Sequence, residues 1–353
     1  MFGNASSGER GSARRGGGRL WIGAGVLALA LSSAVVAGGS ASAGKGEPHV
    51  PPGNPAPKGR LIDLQLLAFN DYHGHVKDDA AGTVAGVEAG GGEYLAAKLA
   101  ELREGHDYSL TVTAGDLIGG SPAFSGLFRD EPSVESLNAM GLDISGVGNH
   151  EFDEGVTELL RMQHGGCHPD DGCFFPDQPY AGADFQWLSA NVVEEATGET
   201  PLPPYQIRQF KGVKVAFIGM TLEATDTLVA AAGIEGYDFL DEAETANALV
   251  PILKAQKVES IVVLLHEGGS QTPPPGDVDA CVGISGPVVA INDALDPEID
   301  ALITGHTHLP YNCVLPDADG KPRIVTSAYS YGRVVTDINL VLDKASKDVR
   351  RDL

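Results

Sequence analysis

The chain has 353 residues, enough for one large domain or two smaller ones, and 42% of them are hydrophobic, which is sufficient for a buried core. Its 48 acidic and 24 basic residues give a formal net charge of −24. This charge argues against binding of a nucleic-acid polymer through a basic patch, and any attraction of an anionic ligand must come from local cations.

The first 43 residues have the pattern of an export signal. Four arginines, ending at Arg19, lie ahead of an apolar stretch from Leu20 to Ala37, and Ala41-Ser42-Ala43 has the small-x-small form of a signal peptidase site. We therefore expect a signal peptide over residues 1–43, cleaved after Ala43, and a secreted or extracytoplasmic protein. An uncleaved membrane anchor is the alternative, because the apolar stretch of 18 residues nearly spans a bilayer.

The rest of the chain alternates between strand and helix patterns, which predicts an α/β domain over residues 61–343. It is preceded by a flexible linker at residues 44–60, rich in Pro and Gly, and followed by a polar tail at residues 344–353. The predicted strands are Leu61–Asn70, Ile144–Asn149, Trp187–Val193, Val213–Met220, Ser260–Leu265, Ala301–Thr304, Ile324–Ala328 and Arg333–Leu342. The predicted helices are Glu93–Glu104, Ser133–Met140, Asp153–Gln163 and Glu242–Gln256. Residues 271–286 are rich in proline and polar residues, and we expect a loop there.

Five short segments that end apolar, strand-like runs contain most of the chemically informative residues. They are Asn70-Asp71-Tyr72-His73-Gly74, Ala114-Gly115-Asp116, Gly148-Asn149-His150-Glu151-Phe152-Asp153, Leu265-His266-Glu267-Gly268 and Gly305-His306-Thr307-His308. Side chains two residues apart on an extended chain lie on one side, so Asp71 and His73 can reach one ion, as can His306 and His308. A carboxylate has two oxygens, so Asp116 can bridge two ions.

Taken singly, each of these residues has a plainer explanation. An aspartate at a strand end is usually a turn or cap residue, a lone strand-end histidine is usually structural, and Asn149 can be a turn residue after Gly148. The joint pattern favours a site, because every segment ends a strand in front of a glycine-containing loop, where α/β sheets place their chemistry. Two cations about 3.5–4 Å apart form a site for in-line displacement at phosphorus.

The five segments, in this order, resemble those of the metallophosphoesterase (calcineurin-like) superfamily, in the variant of the bacterial 5′-nucleotidase branch. The resemblance extends from about Leu61 to Asp343. It implies a four-layer α/β/β/α sandwich of two facing mixed sheets with helices outside. It also implies that residues 61–343 are the catalytic domain, and that the C-terminal nucleotide-binding domain of the family is absent or truncated in this chain.

The resemblance also implies the roles of individual residues. One divalent ion is expected on Asp71, His73, Asp116 and His308, and the other on Asp116, Asn149, His266 and His306. His150 is expected to stabilise the transferring phosphoryl group or the leaving oxygen, with Asp153 orienting it. Mn, Zn and Co all suit such ligands, so the sequence does not choose among them.

The expected function is therefore an exported phosphomonoesterase that hydrolyses nucleoside 5′-monophosphates by attack of a metal-bridging hydroxide on phosphorus. Its partner is a small phosphate ester, above all a nucleotide. Two alternatives are a cyclic-nucleotide or nucleotide-sugar phosphodiesterase using the same site, and a non-catalytic module that binds metal or a partner. Intact His150 and Asp153 argue against the last, because neither is needed to hold metal.

Four cysteines follow the signal segment: Cys167, Cys173, Cys281 and Cys313. An even number in an exported chain indicates disulfides, and four cysteines allow three pairings. We favour Cys167–Cys173, which closes a short polar loop, and this pairing leaves Cys281–Cys313 as the second bridge.

Overall fold

The computed structural model describes residues 59–77 and 82–353. The predicted signal peptide and nearly all of the predicted linker lie outside these residues. The strands are β1 (Leu61–Phe69), β2 (Thr83–Val84), β3 (Val87–Glu88), β4 (Ser109–Thr113), β5 (Ile144–Gly146), β6 (Gln186–Leu188), β7 (Val192–Glu194), β8 (Tyr205–Phe210), β9 (Val213–Thr221), β10 (Tyr237–Phe239), β11 (Ser260–His266), β12 (Ala301–Thr304), β13 (Tyr311–Pro316), β14 (Pro322–Ser327), β15 (Thr336–Asp343) and β16 (Asp348–Val349). The α-helices are α1 (Gly92–Arg103), α2 (Ala123–Gly126), α3 (Glu131–Met140), α4 (Val156–His164), α5 (Glu242–Ala255) and α6 (Pro287–Ala294).

Most strands belong to two six-stranded mixed sheets. The first has the order β16-β15-β1-β4-β5-β6, and the second has the order β13-β14-β12-β11-β9-β8. Within the first sheet, β1, β4, β5 and β6 run parallel while β15 runs antiparallel to β1. Within the second, β9, β11, β12 and β14 run parallel. The carboxyl ends of neighbouring parallel strands therefore lie together at one edge of each sheet.

Alternate residues of the central strands show that the two sheets face each other. Leu64 and Leu66 of β1 pack in one cluster with Val215 and Phe217 of β9. Their neighbour Leu67 instead packs in the cluster that contains the helices of the first sheet. Successive side chains of a strand point to opposite faces of its sheet, and here both faces are buried. These strands are therefore nearly continuous apolar runs.

Helices cover the outer faces of both sheets. Leu95 of α1, Leu137 of α3 and Leu159 of α4 pack on the first sheet. Ala246 of α5 and Ile291 of α6 pack on the second. The order of layers is thus helix, sheet, sheet, helix, which confirms the predicted α/β/β/α sandwich.

Several predicted boundaries differ from the structure for local reasons. The helix predicted from Ser133 begins at Glu131, and the Ser133 hydroxyl donates to the Leu117 carbonyl rather than capping the helix. The helix predicted as Asp153–Gln163 begins only at Val156 because Gly155 has a φ of 86°, and a separate 3₁₀ turn, His150–Phe152, lies ahead of it. The strand predicted as Trp187–Val193 is split between β6 and β7.

The C-terminal residues also differ from the prediction of a polar tail. β16 pairs with β15, and the Arg351 guanidinium forms ion pairs of 2.7 Å with Asp300 and 2.8 Å with Asp317. Residues 344–353 are therefore attached to both sheets. Within the part of the chain that the structure describes, none of the helices has the length and apolarity needed to span a bilayer.

Both predicted disulfides are confirmed, Cys167–Cys173 and Cys281–Cys313. The second bridge joins the loop after His266 to β13, which follows His308. It therefore holds together two segments that lead away from predicted metal ligands. Residues 271–286 form a loop, as predicted, closed at its base by a bridge between Ser270 and Ser285.

Candidate metal centre and the adjacent His–Asp pair

The five segments singled out in the sequence meet where the carboxyl ends of the two sheets converge. Asp71 and His73 follow β1, Asp116 follows β4, and Asn149 and His150 follow β5. From the second sheet, His266 is the last residue of β11, and His306 and His308 follow β12. The site is thus assembled from both sheets, so its geometry depends on how the sheets face each other.

Two groups of potential ligands share Asp116. One ligand atom from each of Asp71, His73, Asp116 and His308 lies within 4.8 Å of the others, and the same holds for Asp116, His266 and His306. In the first group, Nε2 of His308 is 3.0 Å from an Asp71 oxygen and 3.1 Å from Nε2 of His73. In the second, Nε2 of His266 is 2.9 Å from Oδ2 of Asp116. Asn149 adds its amide oxygen, 3.0 Å from Nδ1 of His306.

The histidine tautomers are fixed by backbone carbonyls. Nδ1 of His73 lies 2.8 Å from the Gly119 oxygen, and Nδ1 of His266 lies 2.6 Å from the Ala114 oxygen. A carbonyl only accepts hydrogen bonds, so each Nδ1 has the hydrogen, and in the neutral imidazole Nε2 presents its lone pair to the cluster. Partners of this kind orient metal-binding imidazoles in other proteins.

The chemistry of this donor set fits a pair of divalent cations. Nε2 of His266 is fully buried and lacks a well-aligned hydrogen bond, although Oδ2 of Asp116 is close by. An imidazole nitrogen and a carboxylate oxygen that converge at a buried position are the arrangement expected around a metal ion, which would displace the proton on binding. The Asp–His–Asn composition suits Mn, Zn or Co.

The charges at the site also favour a bound cation beside Asp116. Burial opposes ionisation of Asp116, but the neighbouring His266 and His73 hold the pKa of Asp116 below its ordinary range. Conversely, burial opposes protonation of His266, but the Asp116 carboxylate outweighs it and raises the His266 pKa to about 10. Burial lowers the pKa values of His73 and His306. The buried carboxylates therefore attract positive charge, while two of the imidazoles favour the neutral form that binds metal.

Five of the predicted ligands have a strained backbone. The residues Asp71, His73, Asp116, His306 and His308 all have φ between 47° and 70°. Residues other than glycine rarely adopt this left-handed conformation, which costs roughly 1–2 kcal/mol each. Such strain persists only where the surrounding structure imposes it, and it clusters at functional sites.

His150 and Asp153 form a pair at the edge of this cluster. Nδ1 of His150 is 2.7 Å from Oδ2 of Asp153, and the two side chains are 35% and 36% exposed. The hydrogen bond to Asp153 raises the pKa of His150 to about 9, against burial, which lowers it. The His150 ring lies against the His73 ring, with a centroid distance of 5.0 Å. The partly exposed His150 imidazole therefore lies next to the first ligand group and belongs to neither group.

Two polar residues that hold the ligand loops were not assigned roles from the sequence. The buried Glu151 carboxylate accepts hydrogen bonds from the backbone N–H groups of Asp116, Leu117 and Gly148. It therefore ties the loop after β4 to the loop after β5. Asn70 donates to Asp71 and to the Tyr329 carbonyl, which fixes the carboxylate of Asp71. The sign of these roles in the sequence is that both residues lie within the motif segments.

The close approach of these two loops requires a glycine. A Cβ atom on Gly148 would lie 2.2 Å from Oδ1 of Asp116. No side chain fits there, so Gly148 lets Asn149 come alongside Asp116. This packing accounts for the glycine in front of Asn149 in the sequence motif.

Comparisons with known proteins agree with this geometry. The family model of the calcineurin-like phosphoesterases matches residues 64–310. The chain is 36% identical over 294 residues to Endonuclease YhcR of Bacillus subtilis, covering 82% of this chain and 23% of that protein. It is 28% identical over 304 residues to the 5′-nucleotidase of Vibrio cholerae, covering 78% of this chain and 48% of that protein. The chain thus spans less than half the length of either relative.

A solved structure extends the comparison to the fold. The calcineurin-like phosphoesterase YfkN of Bacillus subtilis superposes with a TM-score of 0.61 at 25% identity, covering 82% of this chain and 88% of that one. The two-sheet sandwich is therefore shared with a protein of known structure.

Proposed function

This chain belongs to the calcineurin-like phosphoesterase family, and we propose that it is an exported, two-metal phosphomonoesterase that hydrolyses nucleoside 5′-monophosphates. The main support is the convergence of six potential ligands in two groups that share Asp116, with Asn149 beside the second group and a partly exposed His–Asp pair next to the first. The similarity to a 5′-nucleotidase supports the nucleotide as substrate. Two disulfides support export, because such bonds persist in oxidising compartments.

The proposed ligands for one cation are Asp71, His73, Asp116 and His308, and those for the other are Asp116, Asn149, His266 and His306. When bound, two divalent cations would polarise the phosphoryl oxygens and lower the pKa of water, so that hydroxide is available near neutral pH. The carbonyls of Gly119 and Ala114 keep His73 and His266 in the tautomer that binds metal. The Asp71 carboxylate is held in place by Asn70 and by the His306 backbone N–H.

His150 would act on the substrate rather than on a cation. Hydrolysis adds water across the P–O ester bond, so the leaving oxygen must gain a proton while negative charge builds on the phosphoryl group. In this proposal the His150 imidazole stabilises that charge and donates a proton to the leaving oxygen. Asp153 accepts from Nδ1, which leaves Nε2 as the nitrogen that faces the substrate.

Metal dependence is the first test. Prolonged chelation of the purified protein should abolish turnover of AMP, and a defined divalent transition metal should restore it. Metal analysis should give two ions per chain. Full activity in protein shown to be free of metal would refute the mechanism.

A phosphodiesterase is the second candidate, favoured by the 36% identity to a protein named as an endonuclease. The same metals and His150 can act on a diester. The two functions separate in one set of assays that compares AMP, a cyclic nucleotide, a UDP-sugar and single-stranded DNA at one metal concentration. Faster hydrolysis of any diester than of AMP would favour the second candidate.

A further inference from the structure

The segment that follows β14 also reaches the candidate metal centre, although it is none of the five motif segments. β14 runs parallel to β12, so the carboxyl ends of these two strands lie at the same edge of the second sheet. The Tyr331 backbone N–H donates to the Asp71 carbonyl at 2.7 Å, and the Ala328 N–H donates to the side-chain oxygen of Asn70 at 2.7 Å. Residues 328–333 are therefore fixed against the end of β1, beside the first ligand group.

The ring of Tyr331 lies against two imidazoles of the first ligand group. Its centroid is 5.2 Å from that of His308 and 5.8 Å from that of His73, and both pairs meet edge to face. The Tyr331 ring also stacks on the His75 ring, with a centroid distance of 4.1 Å. Aromatic rings attract each other in edge-to-face pairs at such separations. One tyrosine thus contacts both histidines that are proposed to bind the first cation.

His308 should depend on this contact more than His73 does. His73 has a second anchor, the hydrogen bond from its Nδ1 to the Gly119 carbonyl. The side chain of His308 is 32% exposed, and no hydrogen bond from the described residues reaches its Nδ1. A metal-binding imidazole is usually oriented by a partner on the nitrogen that faces away from the metal. Packing against the Tyr331 ring can take the place of that partner for His308.

The strained backbone of Tyr331 is an independent observation that points to its side chain. Its φ is 60°, in the left-handed region that glycine adopts readily and that is unusual for a bulky residue. A glycine would be the less strained residue at this position, so what the tyrosine adds is its ring. Such strain persists only where the surrounding structure imposes it, and it clusters at functional sites.

We propose that Tyr331 is a positioning residue for the first ligand group, and that its ring holds the imidazoles of His308 and His73 in the orientation that binds one of the two cations. The proposal rests on the two-cation site of the proposed function. It adds a residue outside the five motif segments to that site, and it makes one cation, rather than both, dependent on Tyr331.

Titration of the metal-free protein with Co²⁺ tests this proposal without turnover, because the visible absorption of bound Co²⁺ reports the geometry of its ligands. His308→Ala removes a ligand outright, so it identifies the binding step that belongs to the first group. Tyr331→Ala should weaken that same step roughly tenfold, the lower end of the range for lost partners of ligands, and should change its spectrum, while the other step stays as in the wild type. Tyr331→Phe keeps the ring and should restore both the affinity and the spectrum.

Tyr329→Ala is the matched control. Tyr329 lies in the same segment, has a φ of 70° and packs under the same Arg333 guanidinium as Tyr331, but among the described residues its ring contacts none of the predicted ligands. Its Co²⁺ affinities and spectrum should equal those of the wild type. Unchanged Co²⁺ affinity in Tyr331→Ala, an equal loss in Tyr329→Ala, or no recovery in Tyr331→Phe would each overturn the proposal.

The same titration separates this proposal from the proposed function. Binding of two ions that depends on Tyr331, in a protein that hydrolyses neither AMP nor any diester, would refute the proposed function and support the role of Tyr331. A wild-type protein that binds no Co²⁺ would overturn both.

Discussion

The two sides of the proposed phosphate site are built differently. On the metal side, Asp71, Asp116 and His266 are at most 2% exposed, and each is held by backbone groups of a neighbouring strand end or loop. On the other side, His150 and Asp153 are each about one-third exposed; His150 begins a short 3₁₀ turn, His150–Phe152, and Asp153 follows it. The positions of the metal-side residues are thus fixed by the ends of the sheets, whereas the His–Asp pair depends on a loop. Substitutions on the two sides should therefore have different consequences.

The largest effect is expected at Asp116, the residue shared by both ligand groups. Asp116→Ala should remove the bridge between the two cations, so metal content and activity should fall together, the activity by roughly a thousandfold or more. Elemental analysis beside steady-state kinetics measures both. Retention of two ions per chain in this variant would show that Asp116 is not the shared ligand.

His150→Ala should separate the two sides most clearly. It should retain both metals and lose roughly 10²–10⁴-fold in kcat, the usual range for an acid–base or charge-stabilising side chain. The same elemental analysis provides the control. Loss of an ion together with the imidazole would place His150 among the ligands and remove the distinction between the two sides.

A smaller effect is expected at Glu151, which supports the metal side without contacting metal. Glu151→Gln replaces one of two accepting oxygens by an amide NH₂, so the three backbone N–H groups of Asp116, Leu117 and Gly148 can no longer all be satisfied. We expect metal affinity to fall by roughly 10–100-fold, the range seen when supporting partners of ligands are lost. Competition with a chelator of known affinity measures this fall.

Glu195→Gln is the control for that experiment, because it makes the same chemical change at an exposed position. Its metal affinity should match that of the wild type. If Glu151→Gln also binds metal as tightly as the wild type, the ligand loops are held together by packing alone.

The difference between the two sides also explains what the sequence could predict. Apolar runs with both faces buried identified the central strands, and the residues that end them identified the members of the site. Asp71, Asp116 and His266 could be found because the strand ends dictate where their side chains meet. Most of the candidate metal ligands could therefore be predicted from the pattern of strands and the polar residues that follow them.

The remaining features of the site depend on tertiary packing, which leaves no pattern in the local sequence. The left-handed backbone at His306 and His308 is imposed by surrounding contacts, and local propensity argues against it. The 3₁₀ turn at His150 could not be distinguished from the start of α4, since the helix begins only after Gly155.

The smallest effect on the site itself is expected from the disulfides, which lie outside both of its sides. Cys167–Cys173 closes a loop with a sequence separation of 6, whereas Cys281–Cys313 closes one with a separation of 32. In the chain-entropy account, a bridge stabilises by restricting the unfolded chain, so the longer loop should contribute about 4 kcal/mol and the shorter about 2 kcal/mol. Replacing each pair by serines and measuring the free energy of unfolding in denaturant tests this order. Both double variants should retain two metals when folded, since none of the cysteines lies in the ligand groups. A larger loss of stability from the Cys167–Cys173 pair would show that native packing of that short loop, rather than loop length, determines its contribution.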